Sequence, residues 1–344
     1  MSLPVPALPV PTAVASEIAL RHYGIVATAE RLASEFDDTF RLAGDDGPGW
    51  LLKVGTEPGR PVALADGVGF QTALLLHLAA VAPSLPVQRV VATLDGRPEV
   101  RFPGRRLARM TSWLDGRVLG AGAASPGLRR DVGGTLARLN VALRGFTHPG
   151  AGRTHRWDLQ NLRALRPLLS ELPDGGRDGL AECLDRFDAV VRPRLAGMAT
   201  QVIHTDFHGE NLLTDGSRVT GILDFGDALT GPVAMDVGVA ACYQLGGGGP
   251  GSDLLGPALD VVAGYHAVDP LSGVERGLAA EFMVARVAAR IILSQAHAAR
   301  DPGNARYLLR RTPAAIAHFA GLRAIGLDSI RGRLEAACEL EVAP

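Results

Sequence analysis

The chain is almost without lysine: among 344 residues Lys53 is the only one, and every other basic side chain is arginine. Such a bias replaces lysine wherever arginine serves, which singles out Lys53 as a place where a compact, rotatable ammonium is needed. Cysteine is scarce as well. Cys183, Cys242 and Cys338 are odd in number, far apart and form no CxxC pair, which excludes a zinc ribbon, argues against a disulfide scaffold and fits a reducing compartment. Neither sign of charge prevails, because 35 basic and 36 acidic residues leave a formal charge of −1; a nucleic acid or other general polyanion is not an expected partner. The longest uncharged run, 67–88, is broken by Gln71, Thr72, His77, Pro83 and Pro86, and reads as a buried helix and loop, so no membrane association is expected. The opening MSLPVPALPVP lacks a basic region and an unbroken apolar core, so residues 1–12 read as a flexible leader of a cytoplasmic protein.

What the sequence does hold is a large apolar fraction, 47%, and a length that suggests two domains or lobes at about 150 residues each. Strand patterns dominate the first part. Val14 to Tyr23 reads as a short helix stopped by Gly24, followed by strands at 25–32, 39–42 and 50–54, a helix at 68–81, a hairpin of 87–94 with 99–102 across Asp95-Gly96, and a strand at 107–113. From Leu114 the pattern turns to amphipathic helices over 128–143, 159–169, 179–195, 253–266, 274–300 and 304–325. A short β-rich insert at 201–204, 211–214 and 219–223 interrupts them. The expected class is therefore α+β, with a mixed, mainly antiparallel sheet in a lobe spanning 13–113 and a mainly helical lobe spanning 114–344. Nothing in the sequence specifies an oligomeric state.

The densest polar cluster is His204-Thr205-Asp206-Phe207-His208-Gly209-Glu210-Asn211, followed after a short hairpin by Asp224-Phe225-Gly226. Carboxylate and amide oxygens at buried strand ends are costly to place without a task, and they suit a hard cation such as Mg²⁺ beside a phosphate. Phosphoryl transfer needs a carboxylate to orient an attacking hydroxyl, oxygen ligands for the metal and a cation on the phosphates. Asp206, the pair Asn211 and Asp224, and Lys53 supply these in turn. His204, Asp206 and His208 also admit a reading as metallohydrolase ligands, and a fold that binds nucleotide without transferring phosphate is the reading from another class.

The H-x-D-x4-N run, the DFG that follows it and a lysine on the third strand resemble the protein-kinase-like fold in its small-molecule branch, the aminoglycoside phosphotransferase and choline kinase family. Residues 19–24, 34–40, 153–162 with Trp157-Asp158-Leu159, and 221–228 are similar to hydroxylysine kinase-like enzymes. The resemblance implies a two-lobed kinase dependent on Mg²⁺ and ATP, with GTP as the other nucleotide, acting on the hydroxyl of a small amine-bearing molecule. Hydroxylysine-like acceptors come first; aminoglycosides, choline, ethanolamine and homoserine are the alternatives.

It further implies that Asp206 orients the hydroxyl, Asn211 and Asp224 hold Mg²⁺, Lys53 meets the nucleotide phosphates and His204 is structural. Thr111 to Leu114, with Trp113, falls at the adenine hinge, and Ser34 to Phe40 takes the place of the phosphate-covering hairpin, which here lacks GxGxxG. The helix after Lys53 lacks a glutamate and leaves Gln71 to orient the lysine. No APE segment follows DFG, so a protein substrate is not expected. Asp158, Asp227 and Asp236 are expected to face a substrate ammonium, with helix capping as the alternative for Asp158 and Asp236. Arg286 or Arg290 would meet a substrate carboxylate, the alternative being a solvated helix face.

Overall fold

Period-2 alternation shapes the first sheet. In the computed structural model, which describes residues 9–34, 37–44, 47, 49–55, 67–102, 106–120, 124–173, 177–247 and 253–339, strands β1 (Thr28–Leu32), β2 (Asp38–Ala43), β3 (Trp50–Val54), β4 (Val100–Phe102) and β5 (Arg106–Ser112) form one antiparallel sheet in the order β1-β2-β3-β5-β4. Phe40, Leu42, Leu52, Val54, Ala108 and Met110 point to one face and bury themselves against helix α1 (Thr12–Tyr23). Each of these side chains except the small Ala108 contributes about 1.5–3 kcal/mol when fully buried. Gly24 ends α1 in the left-handed conformation, φ 70°, as its position after the helix predicts. Alternation sends Lys53 and its cross-strand neighbours Thr39 and Arg109 to the other face, where helix α2 (Gly67–Val81) lies against β5.

Two expectations for this region are corrected. The leader is not loose up to residue 12, because the Val10 N–H donates to Asp38 Oδ2 at 3.0 Å and Val10 is buried; residues 1–8 lie outside the described residues. The segment 87–94 forms no hairpin with 99–102. Strand β4 pairs with β5 instead, while 87–94 makes only single bridges, Val87 with Ile222 and Val90 with Thr111. Thr93 closes its own loop through Oγ1 bonds to Asp95 and Arg97, a local side-chain alternative to a ladder.

The chain divides into two compact units, and the division is not the single cut expected after Trp113. One unit is Met1–Arg117 together with Phe146–Arg153 and Thr220–Gly226; the other is Val118–Gly145, Thr154–Val219 and Asp227–Pro344. Phe146 and His148 lie against Phe70 of α2, and the Ile222 N–H donates to Pro86 O at 2.8 Å, which explains why these two distant segments belong to the first unit.

The second unit is built on helices α3 (Pro126–Ala142), α4 (Arg177–Arg186), α5 (Arg192–Leu195), α6 (Val233–Cys242), α7 (Gly256–Val268), α8 (Gly273–Arg300), α9 (Ala305–Leu308), α10 (Thr312–Ile325) and α11 (Leu327–Glu339), with strands β6 (Gln201–Ile203), β7 (Leu212–Thr214) and β9 (Leu229–Gly231); β8 (Val219–Ile222) carries the chain back to the first. The residues expected as one helix over 159–169 form a 3-10 run, Leu159–Glu171, with Asn161 non-helical and Pro167 inside. Between α4 and α5 the backbone widens to a π turn at Phe187–Val191, next to Pro193, whose ring cannot accommodate the ordinary helical bond to residue 189. The helix expected over 304–325 breaks into α9 and α10, and α11 was not expected. A Ser272/Glu275 capping box opens α8. No helix among the described residues is long and apolar enough to cross a membrane.

Helices α3 and α7 cross at near contact of their backbones. A Cβ on Gly133 would sit 1.9 Å from Val261 O, and one on Gly264 would sit 2.0 Å from Arg130 O. Gly133→Ala must therefore push the helices apart, and overpacking of this kind costs about 1–3 kcal/mol. The urea midpoint of the variant is expected to fall accordingly, while Gly152→Ala, where the added carbon meets nothing within 4 Å, serves as the unaffected control.

Candidate active site

In the first unit Lys53 Nζ is 3.3 Å from Asp224 Oδ1. Asp224 stands in the left-handed region, φ 54°, which costs a non-glycine residue about 1–3 kcal/mol. The Gly226 N–H donates to the same Oδ1 at 3.1 Å, and a Cβ at Gly226 would crowd that oxygen at 2.8 Å. Arg153 donates to the Gly226 carbonyl and lies 5.5 Å over the Phe70 ring, so the segment 146–153 braces the Asp224 turn.

Gln71 does not orient Lys53. Its Oε1 accepts from Arg109 Nη2 at 3.1 Å, and Thr72 Oγ1 accepts from Arg109 Nη1 at 3.2 Å. Arg109 is the cross-strand neighbour of Lys53 and is wholly buried; burial pulls its pKa down, against the opposing charges of Asp37, Glu99 and Asp224. The desolvated guanidinium, not the ammonium, is what the neutral helix residues serve. In the segment expected as the adenine hinge, Thr111 is buried and the Trp113 N–H is taken by Gly49 O at 3.2 Å, so that donor is already used; the Arg41 guanidinium lies 4.6 Å over the Trp113 ring. Of the expected hairpin, Ser34 and Asp37 remain accessible, Asp38 to Phe40 are buried, and Glu35 and Phe36 lie outside the described residues.

The second unit holds the H-x-D-x4-N loop. The wholly buried carboxylate of Asp236, on α6, accepts the His204 N–H at 3.1 Å and the Thr205 N–H at 2.7 Å. Burial raises its pKa, against the pull of His204 and these two N–H groups. It is neither a substrate contact nor a cap of its own helix: it ties α6 to the loop. Thr205 is left-handed, φ 63°, unusual for a β-branched residue, and is further held by its hydroxyl donating to Asp227 O at 2.8 Å. Asp158 likewise leaves the substrate set. It is buried, its Oδ1 accepts from the Gln160 N–H at 3.0 Å as the cap of the 3-10 run, and its Oδ2 accepts from Asn161 at 2.9 Å. Asp227 is half-buried.

Asp206 projects from this loop with both oxygens engaged. Oδ1 accepts from Arg286 Nη2 at 2.7 Å, and Oδ2 accepts from Asn211 Nδ2 at 3.0 Å and faces His208 Nε2 at 3.1 Å. Burial alone would raise its pKa, but the hydrogen bond from His208, with the Arg286 guanidinium behind it, holds the carboxyl well below the usual range. His208 Nδ1 accepts the Glu210 N–H at 3.1 Å, which places the ring proton on Nε2, the atom facing Asp206. Asn211 Nδ2 also donates to the Asp206 carbonyl at 3.0 Å, so the amide nitrogen serves Asp206, leaving the amide oxygen as the atom of the kind a hard cation takes. The Gly209 carbonyl accepts the Gly120 N–H at 2.9 Å, and a Cβ at Gly209 would meet Gly120 O at 2.1 Å.

Two features were missed or misread from sequence. His208 is a donor to Asp206. Arg286, expected to meet a substrate carboxylate, holds Asp206, with its guanidinium 4.6 Å from the Trp157 ring centre and 5.5 Å from that of Tyr243. The metallohydrolase reading fails because His204 Nδ1 accepts the Asp206 N–H at 3.3 Å, and no group of three or more His, Cys, Asp or Glu gathers for a metal among the described residues.

A phosphotransferase enzyme family model, APH, matches residues 28–271. The chain is 25% identical to hydroxylysine kinase of Danio rerio over 336 residues, 92% of this chain and 93% of that protein. It is 30% identical to homoserine kinase of Rhizobium johnstonii over 241 residues, 63% of this chain and 68% of that one. In fold it is similar to a microcompartment-associated aminopropanol kinase, with TM-score 0.63, 20% identity and coverage of 94% and 100% of the two chains. It is also similar to an amicoumacin kinase solved with AMP-PNP and Ca²⁺, with TM-score 0.64, 15% identity and coverage of 87% and 92%. The fold is the protein-kinase-like α+β fold expected from the sequence, and the chain belongs to the APH phosphotransferase family, as a small-molecule kinase with an alcohol group as acceptor.

Proposed function

We propose that the protein transfers the γ-phosphoryl group of Mg-ATP to the hydroxyl of a small amine-bearing metabolite, with a hydroxylysine-like acceptor as the leading choice. The observation that carries this reading is the Asp206 carboxylate, kept anionic by Arg286 and His208 and held in place by Asn211. An anion so stabilised is a weak base. It suits a reaction in which the acceptor hydroxyl must be aimed more than deprotonated, because phosphoryl transfer passes through a loose transition state with little early demand for a base. Asp206 accepts the hydrogen bond of the acceptor hydroxyl. That oxygen then bonds to the γ-phosphorus as the bond to the bridging oxygen breaks, ADP leaves, and the hydroxyl proton passes to Asp206.

Lys53 serves the nucleotide phosphates, exchanging its pairing with Asp224 for phosphate oxygens. Asn211, through its amide oxygen, and Asp224, through its carboxylate, are the residues that would hold Mg²⁺, a cation that commonly takes only one or two protein carboxylates and completes its shell with water and phosphate. Bound there, Mg²⁺ supplies charge neutralisation on the phosphates. Half-buried Asp227 is the residue assigned to an acceptor ammonium, and Ser34 and the backbone near Thr111 are assigned to phosphate and adenine. Full-length similarity to hydroxylysine kinase of Danio rerio supports the choice of acceptor.

Release of nucleoside diphosphate from Mg-ATP and Mg-GTP, across 5-hydroxylysine, homoserine, ethanolamine, choline and aminoglycosides, tests the reading. Release is expected with ATP and strongest with 5-hydroxylysine, and absent once EDTA is in excess. Asp206→Asn keeps the shape and loses the anion, so turnover is expected to fall by about 10²–10⁴, the usual worth of a positioned acid-base group, while Mg-ATP still binds. A variant with unchanged turnover defeats the mechanism. Lys53→Met removes a charge-assisted bond of about 1.5–3 kcal/mol, and kcat/KM for ATP is expected to drop by about 10- to 100-fold; an unaltered value would take Lys53 out of the nucleotide site.

A further inference from the structure

Beside Asp206, the face of α8 presents two guanidinium groups one helical turn apart. Arg286 is wholly buried and neutralised by Asp206, yet its Nε and Nη1 have no hydrogen-bond partner among the described residues. Arg290 is half-buried, lies 4.7 Å over the ring of Tyr243 and forms no ion pair among the described residues. The groups around it are neutral or cationic: the buried Cys242 thiol and Tyr243 phenol, whose pKa values burial raises, and His318, whose pKa burial and the Arg290 charge lower. Tyr243 joins the cluster to the loop, its hydroxyl accepting from Arg286 Nη2 at 3.0 Å and its ring lying 4.7 Å from that of His208.

A half-buried cation without a counter-ion, set against the Tyr243 ring one helical turn from a second guanidinium, is an unfinished ion pair. The acids that would have made this region attractive to a polycation, Asp158 and Asp236, are buried and taken by backbone and amide donors. The local charge therefore favours an anionic group on the acceptor.

We propose that Arg290, backed by Arg286, binds a carboxylate on the phosphate acceptor, making Arg290 a specificity-determining residue for hydroxy acids and hydroxy-amino acids over amino alcohols and aminoglycosides. The inference rests on the kinase reading above and narrows its acceptor. A planar guanidinium fork matches a carboxylate in two parallel bonds, which an ammonium cannot reproduce.

The test compares acceptors that differ only in the carboxylate: 5-hydroxylysine against 5-hydroxylysinamide, and homoserine against 3-aminopropan-1-ol. Wild-type kcat/KM is expected to fall by at least about 10-fold when the carboxylate is removed, the lower bound for a bond to a charged group. Arg290→Met is expected to raise KM for the acids by about 10- to 100-fold with kcat within about threefold, to leave the KM for ATP and the rates with the carboxylate-free acceptors unchanged, and to be partly rescued in Arg290→Lys. Equal use of acids and their carboxylate-free counterparts by the wild type overturns the inference and leaves the kinase standing. So does an Arg290→Met variant that loses kcat for every acceptor alike. Silence of the wild type with all acceptors overturns the inference together with the kinase reading beneath it.

Discussion

The H-x-D-x4-N loop depends on a single buried carboxylate. Asp236 leaves water entirely, and what compensates it is a pair of backbone N–H groups, those of His204 and Thr205, which would themselves be orphans without it. Each half of that arrangement is unfavourable alone and tolerable only together. It fixes Thr205 in a conformation a β-branched residue avoids, and this turn sets the direction in which Asp206 leaves the loop. The strain is thus held one residue away from Asp206, and it is offset by a residue 31 positions after Thr205.

Much of this was legible in the sequence. The strand around Lys53, the stop at Gly24 and the H-x-D-x4-N loop follow from local rules of alternation, capping and residue chemistry, and the structure carries all three. What was not legible was the partner of each charge. Asp158 and Asp236 looked like substrate carboxylates because a sequence shows an acid's presence but not whether backbone donors already saturate it. Sequence alone points Gln71 at the lysine, because Arg109, its true partner, is distant in sequence and becomes a neighbour only through the pairing of β3 with β5. The 3-10 run after Asp158 kept helical hydrophobic spacing, and only Pro167 hinted at the tighter winding. From sequence His208 reads only as an alternative metal ligand; its bond to Asp206 depends on the Glu210 N–H, which turns back onto Nδ1 and fixes its tautomer.

The near-exclusive use of arginine has a structural counterpart. Arg109 and Arg286 are both buried, one bonded to amide and hydroxyl acceptors and the other within 4.6 and 5.5 Å of two aromatic rings. A delocalised, weakly hydrated guanidinium tolerates such surroundings better than an ammonium does. The one lysine sits where the opposite property is useful, on a strand facing a carboxylate with which it forms a single bond that can be exchanged.

The first unit is discontinuous in sequence: its sheet is complete by residue 112, yet it takes in residues 146–153 and 220–226 as well. During synthesis at about 5–20 residues per second, the five-stranded sheet therefore waits several seconds on the ribosome for the turn that carries Asp224 and pairs with Lys53. A chain stopped anywhere before Gly226 leaves that unit unfinished. The first unit cannot therefore be cut out as an N-terminal fragment, and its assembly is tied in time to that of the H-x-D-x4-N loop, which emerges just before its last piece.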